Sequence, residues 1–164
     1  MLEDIKGKLA WGSKRGLGNY LTIEFGEPHL NIREPQSDIK STIPSVVKLL
    51  RKRRVWLVGD YQLWIQDCDW EIIEGETVHG GVSPVDGINK ALEFIDGQIV
   101  IDIINLVEAA EKKIVIEFDG GSKIHLSWRL DITSADTAFS LKEFRGKLTS
   151  ILLSGIEKSM EHSV

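Results

Sequence analysis

One strand pattern is written twice in this chain, and that recurrence most limits what it can fold into. "LTIEF" at 21–25 returns as "IVIEF" at 114–118. The match extends on both sides. "LEDIKGK" (2–8) parallels "LEFIDGQ" (92–98), and "HLNIR" (29–33) parallels "HLSWR" (125–129). The offset grows from 90 to 93 to 96 residues, as small loop insertions would produce. Three ordered matches predict a duplicated unit with a period too long for a solenoid.

Each copy alternates apolar and polar residues with period two, which places one set inward and the other outward. Leu21, Ile23 and Phe25 form one such set; Ile114, Ile116 and Phe118 form the other. "FDGGSK" (118–123) reads as a hairpin turn, "GEPH" (26–29) as its counterpart, and "IVIDII" (99–104) as a β-branched strand. Each half is therefore expected to be a three-stranded meander, ending on a strand whose His29 or His125 precedes a core leucine. A further hairpin is expected between 53–58 and 61–66, turning at Gly59-Asp60 and setting Trp56 beside Trp64.

Three helices are expected. Residues 43–53 begin on Pro44, suited to a first helical turn, and 87–95 form a short second helix. At the C-terminus, Ser140 and Glu143 make a capping box. Leu141, Phe144, Leu148, Ile151, Leu152, Ile156 and Met160 follow at spacings of three and four. The predicted architecture is an α+β single domain over 1–164. Two similar β-meander halves (2–76 and 92–132) form mainly antiparallel sheet, and an amphipathic helix over 140–160 packs on it. "TVHGGVSPVDG" (77–87) reads as the linker between the halves.

The chain has 164 residues, 42% of them hydrophobic and 27% charged, the composition of an ordinary globular domain. No apolar run is long enough to span a bilayer, and the opening "MLEDIKGKLAWG" lacks the pattern of a secretion signal. One cysteine, Cys68, agrees with a reducing compartment, so a cytoplasmic location is expected. Net charge is −5, which argues against nucleic acid as a partner. The charge is uneven. Residues 41–54 hold five bases and no acid, while 55–100 hold nine acids and one base, a net of −8. That acidic stretch reads either as a solvated face or as a surface for a cationic partner.

Chemistry-bearing patterns are sparse. His29 and His125 are the candidate metal ligands, but no His-x-His, His-Glu-x-x-His or Cys-x-x-Cys spacing supports a metal, and no cofactor is expected. "DCDW" (67–70) sets Asp67 and Asp69 on one side of a strand and Cys68 on the other; Cys68 reads as a small core residue. "RKRR" (51–54) reads as a solvated helix end. "GSKRGLGNY" (12–20) fits neither a P-loop nor a dinucleotide fingerprint and reads as a hairpin loop. No Gly-x-Ser-x-Gly elbow occurs.

The order "IKGK … YLTIEFG … YQLWIQDCDWEI … IDGQ … KIVIEFDGGSKIHLSWRL", over about residues 5–132, resembles a family of small uncharacterised bacterial proteins with two β-rich halves. Trp128-Arg129 matches the end of that family's closing strand, whereas Trp70-Glu71 departs from it. In size and charge the chain also resembles immunity proteins of polymorphic toxins. That resemblance implies a non-enzymatic protein that blocks a basic toxin domain. The acidic residues Asp60, Asp67, Asp69, Glu71, Glu74 and Glu76 would meet the toxin, with Trp64 as anchor. The alternative is an enzyme or a small-ligand or metal-binding protein with a pocket between the halves, built from His29, His125, Asp67 and Asp69. A homodimer pairing through sheet edges is a third alternative.

Overall fold

In the computed structural model the chain is described except at residues 1, 17, 19, 109–110, 130–136, 145–146, 153–156 and 162–164. It is mostly antiparallel β with two helices. A 3-10 turn, Leu2–Ile5, leads into β1 (Ala10–Arg15), β2 (Leu21–Phe25) and β3 (His29–Arg33). After α1 (Pro44–Leu50) come β4 (Arg54–Val58), β5 (Tyr61–Ile65), β6 (Asp69–Glu74) and β7 (Thr77–Gly80). Helix α2 (Val85–Ile95) precedes β8 (Val100–Glu108), β9 (Glu111–Phe118) and β10 (Lys123–Arg129). The chain closes with β11 (Thr137–Glu143), β12 (Lys147–Leu152) and β13 (Glu157–Glu161).

These strands make a six-stranded sheet, β1-β2-β5-β11-β12-β13, a five-stranded sheet, β7-β6-β10-β9-β8, and a separate two-stranded ribbon, β3-β4. The inward residues of both large sheets belong to one apolar cluster. From the first come Leu21, Ile23, Phe25, Leu63 and Ile65; from the second, Ile72, Ile114, Ile116, Phe118 and Leu126. Trp128 meets Phe139 edge-on at 5.6 Å, joining β10 to β11 inside the core. In α2, Ile88, Ala91, Leu92 and Ile95 recur at spacings of three and four and are buried, which packs the helix against β1, β6 and β7.

The two large sheets meet at a backbone seam, an antiparallel bridge between Leu9 and Ile99. Hydrogen bonds exchange across it partner for partner. Gly7 N–H donates to the Val100 carbonyl and Gly97 N–H to the Ala10 carbonyl, both at 2.8 Å. Ala10 N–H donates to Gln98 at 2.8 Å and Val100 N–H to Lys8 at 3.0 Å. Beyond them, Gly26 N–H reaches Leu9 and Asp119 N–H reaches Ile99, both at 2.9 Å. Gly7 (φ +78°) and Gly97 (φ +93°) turn the chain into the seam in a conformation that side chains disfavour. Ile5 and Ile95, two residues earlier in each turn, are fully buried.

The structure corrects four sequence expectations. The hairpin at Gly59-Asp60 does not form: β4 pairs only with β3, while β5 pairs with β2 and β11. Gly59 instead passes from ribbon to sheet so close to β2 that a Cβ there would lie 2.5 Å from the Phe25 carbonyl oxygen. Its N–H donates to the buried Glu24 carboxylate at 2.9 Å, and Gln62 Nε2 donates to the other oxygen of that carboxylate. Second, "GEPH" joins β2 to β3 without pairing them, so "HLNIR" lies in the ribbon while "HLSWR" lies in the five-stranded sheet. Third, the expected linker contains β7 and the start of α2.

Fourth, the helix expected over 140–160 is replaced by β11, β12 and β13 wherever that span is described. Leu141 alternates instead with Phe139, two residues before it and outside the expected stripe, and both are buried on one side of β11. Pairing to β5 satisfies a sheet edge that would otherwise stay open. Ser140, assigned to a helix cap, is buried and accepts from Gln66 Nε2 at 3.3 Å.

The seam yields the first prediction. No atom lies within 4 Å of a Cβ placed on Gly7 or Gly97, so the cost of alanine there is conformational alone. Gly7→Ala and Gly97→Ala are each expected to destabilise the fold by ~1–2 kcal/mol in urea titrations. No loss of stability in either would mean that its turn does not hold the seam.

Candidate functional site

The ribbon is tied to the body through Asp60, which follows Gly59 at the passage from β4 to β5. Asp60 Oδ1 accepts from His29 Nε2 at 2.7 Å. Oδ2 accepts from Lys8 Nζ at 3.0 Å and from Glu27 N–H at 3.2 Å. The Asp60 carbonyl accepts from Phe144 N–H at 2.8 Å, and the Phe144 ring stacks on His29 at 4.3 Å. Gly26 (φ +82°) makes room, since a Cβ there would fall 2.3 Å from Asp60 Oδ2. The His29 hydrogen bond, then those from Lys8 and Glu27, overcome the cost of burial and hold the Asp60 carboxyl down at about 2. Both carboxylate oxygens are thus engaged within the chain.

This tie leaves one face of the ribbon to water. Leu30 lies opposite Leu57, and Ile32 opposite Val55. These four, with Ile43 before α1 and Leu49 within it, are 48–57% exposed. Leu30 was expected in the core; its counterpart Leu126 is fully buried. Leu57 also borders a cavity of about 580 Å³ shared by Lys8, Leu9, Trp11, Pro28 and Ile99. Trp11 is fixed there by its Nε1–H, which donates to the Gly26 carbonyl at 2.8 Å.

The other end of the ribbon is basic. Arg33 and Arg54 pair across the strands, and the Arg54 guanidinium lies 5.2 Å above the Trp56 ring. Arg33 Nη2 donates to the Leu49 carbonyl and Gln36 N–H to that of Leu50, both at 3.0 Å. These bonds hold the C-terminal end of α1 against this end of the ribbon. Arg53 pairs with Glu34 at 2.8 Å. Lys48, Arg51 and Lys52 are exposed.

A second cavity, about 690 Å³, opens on the outer face of the five-stranded sheet. His125 lies between Glu71 and Val115 in register, and Ser127 between Asp69 and Lys113. Arg15 at the end of β1 and Glu111 complete its charged lining. His125 Nδ1 is 3.8 Å from Glu71 Oε2, too far for a hydrogen bond. Burial, then the nearby Lys113 charge, lowers the His125 pKa below its ordinary value. Among the described residues, no group of three His, Cys, Asp or Glu side chains is placed to hold a metal ion.

The residues singled out from sequence are thus dispersed. His29 and His125 sit in different sheets with different partners. Asp60 is consumed by the ribbon tie. Asp69 and Glu71 border the His125 cavity, and Asp67 is exposed in the bend between β5 and β6. Glu74 ends β6, and Glu76 lies in the tight turn that leads to β7. Trp64 is exposed on the outer face of the six-stranded sheet. Cys68 is buried and its thiol is pushed up to about 12, chiefly by burial and then by Asp69, which leaves it a core residue without thiolate character. The ribbon face was missed because period-two alternation marks an apolar side without saying whether protein or water covers it. Comparison with known proteins finds no matching family model, no matching curated protein and no matching solved structure.

The Asp60 tie predicts an acid limb. A carboxyl held at about 2 in the fold, against an ordinary 3.8, adds stability that is complete above about pH 5 and is lost progressively as pH falls through 3.8 toward 2. Asp60→Asn is expected to flatten stability against pH in that window, as followed by urea unfolding. A profile with the wild-type slope would show that Asp60 is not the titrating tie.

Proposed function

We propose that this protein works by binding another protein, without chemistry of its own, and that it docks its partner on the β3–β4 ribbon. One observation carries the reading: four apolar side chains in cross-strand register, each about half exposed, run toward a cavity bordered by Leu57. A contiguous apolar patch next to a pocket is the arrangement in which binding energy concentrates. Toxin immunity is the specific form proposed, in which the ribbon face would cover a toxin's surface and block it sterically. Ile32→Asp and Leu57→Asp place charge on side chains that already face water, so both variants should fold like the parent by circular dichroism. Each should lower recovery of the bound partner at least about tenfold, since a charge buried at a docked interface goes unpaired. Trp64→Ala, on the outer face of the large sheet, should not. Equal recovery from all three would end the docking reading.

A second reading is tied to the His125 cavity, whose cations (Arg15, Lys113) and carboxylates (Asp69, Glu71, Glu111) are suited to a small charged or zwitterionic ligand. Thermal-shift screening with amino acids and nucleotides checks it. A stabilising ligand whose effect disappears in both His125→Ala and Lys113→Ala supports this reading, and no shift from any compound removes it.

We further propose that the chain arose by doubling. The hydrogen bonds exchanged across Leu9 and Ile99 support this, as does the parallel placement of β1-β2-β5 and β8-β9-β10. On this reading β5, not β3, corresponds to β10, and the ribbon with α1 is an insertion in the first half.

A further inference from the structure

We infer that the partner docked on the ribbon is an acidic protein segment: carboxylates meet Lys48, Arg51 and Lys52 at one end, and an apolar side chain enters the Leu57 cavity at the other. This rests on the docking reading above and adds the partner's chemistry. The ribbon that carries the apolar face has two unlike ends. At the Arg33–Arg54 end, the bases of α1 and its C-terminal flank gather. Arg33, Arg53 and Arg54 have partners within the chain: the Leu49 carbonyl, Glu34 and the Trp56 ring. Lys48, Arg51 and Lys52 are exposed, and no side-chain partner for them is found among the described residues. Within residues 41–54 there is no acid to balance them. A ligand covering the ribbon would bury or border this uncompensated charge, so one bringing carboxylates is favoured and one bringing cations is repelled.

At the opposite end, the cavity of about 580 Å³ is lined by the apolar side chains of Leu9, Trp11, Pro28, Leu57 and Ile99, with Lys8, Glu27 and Asp60 as its charged residues. An apolar cavity of that size takes a side chain. With Lys8 paired to Asp60 at 3.0 Å, the carboxylate of Glu27 is left at the rim and disfavours a phosphate-bearing strand or an anionic lipid headgroup, as does the chain's net charge of −5. The two ends together select a protein segment over a polyanion: acid at one end, an apolar plug at the other. The cationic partner expected from the acidic stretch at 55–100 would face the wrong sign here.

The test uses the full chain in its source cells with a photo-crosslinker at the cavity mouth, Leu57→benzoylphenylalanine, and identifies the crosslinked segment by mass spectrometry. The expected product is a different protein, joined within a segment of net negative charge. Its yield should fall at least about fivefold in the triple variant Lys48→Glu, Arg51→Glu, Lys52→Glu, and likewise when extracts at 500 mM rather than 50 mM salt are irradiated. Circular dichroism of the triple variant guards against misfolding, and the salt series gives the same information without substitution. A neutral or basic crosslinked segment, or a yield indifferent to both salt and charge reversal, overturns the acidic partner and leaves the docking face standing. A crosslink to a second copy of this chain also overturns it. Crosslinks only to lipid or nucleic acid, or none at all, overturn the inference and the docking reading together.

Discussion

The backbone seam between Leu9 and Ile99 is the constraint on which the remaining structure depends. Hydrogen bonds running both ways across it bring β1 of one sheet against β8 of the other. Backbone groups removed from water must find partners, and here groups of Gly7, Lys8 and Ala10 find them in Gly97, Gln98 and Val100, and the reverse. Once that contact is made, the inner faces of the two sheets have little choice but to share one core. The two glycines that turn the chain into the seam are therefore structural in a specific sense: each supplies a positive φ at the point where the sheets join.

From that joint the geometry of the ribbon follows. β2 leaves the seam at Gly26, whose N–H bonds back to Leu9, and the chain departs as β3 rather than folding back along β2. It returns as β4 and reaches β5 only through Gly59 and Asp60. The Glu24 carboxylate holds Gly59, while the Asp60 carboxylate gathers Lys8, Glu27 and His29. Polar ties thus fix the base of the ribbon, so its outer face need not pack on the core to stay in place. An apolar face held outward by polar anchors differs from a core strand that has slipped into solvent, and that difference supports reading it as a surface for a partner.

Expectations from sequence held where a pattern had one physical solution. Ile23-Glu24-Phe25 and Ile116-Glu117-Phe118 are strands with inward Ile and Phe, the β9–β10 hairpin turns at its paired glycines, and Cys68 lies in the core. They failed where a pattern had two solutions. Leu141, Phe144 and Leu148 satisfy a helical stripe when viewed alone, yet the pairing of β11 along β5 gives the chain there a strand's bonds instead. "RVWLV" and "YQLWI" look like hairpin arms, yet each pairs elsewhere. His29 and His125 occupy matching places in the sequence, but one serves a turn and the other lines a cavity.

What the sequence determined by itself was local: which residues alternate, where the chain turns on glycine, how charge divides between 41–54 and 55–100, and that "IKGK" and "IDGQ" are alike. Short-range periodicity and turn chemistry are properties of a few neighbouring residues, so they can be read in order. Which strands pair, and therefore which apolar side meets the core and which meets water, was decided only in three dimensions. Leu30 and Leu126 each follow a histidine in the same motif, and one is half exposed while the other is sealed. The reason is physical: burial depends on what arrives from distant parts of the chain, and the period of a strand carries no record of its neighbours.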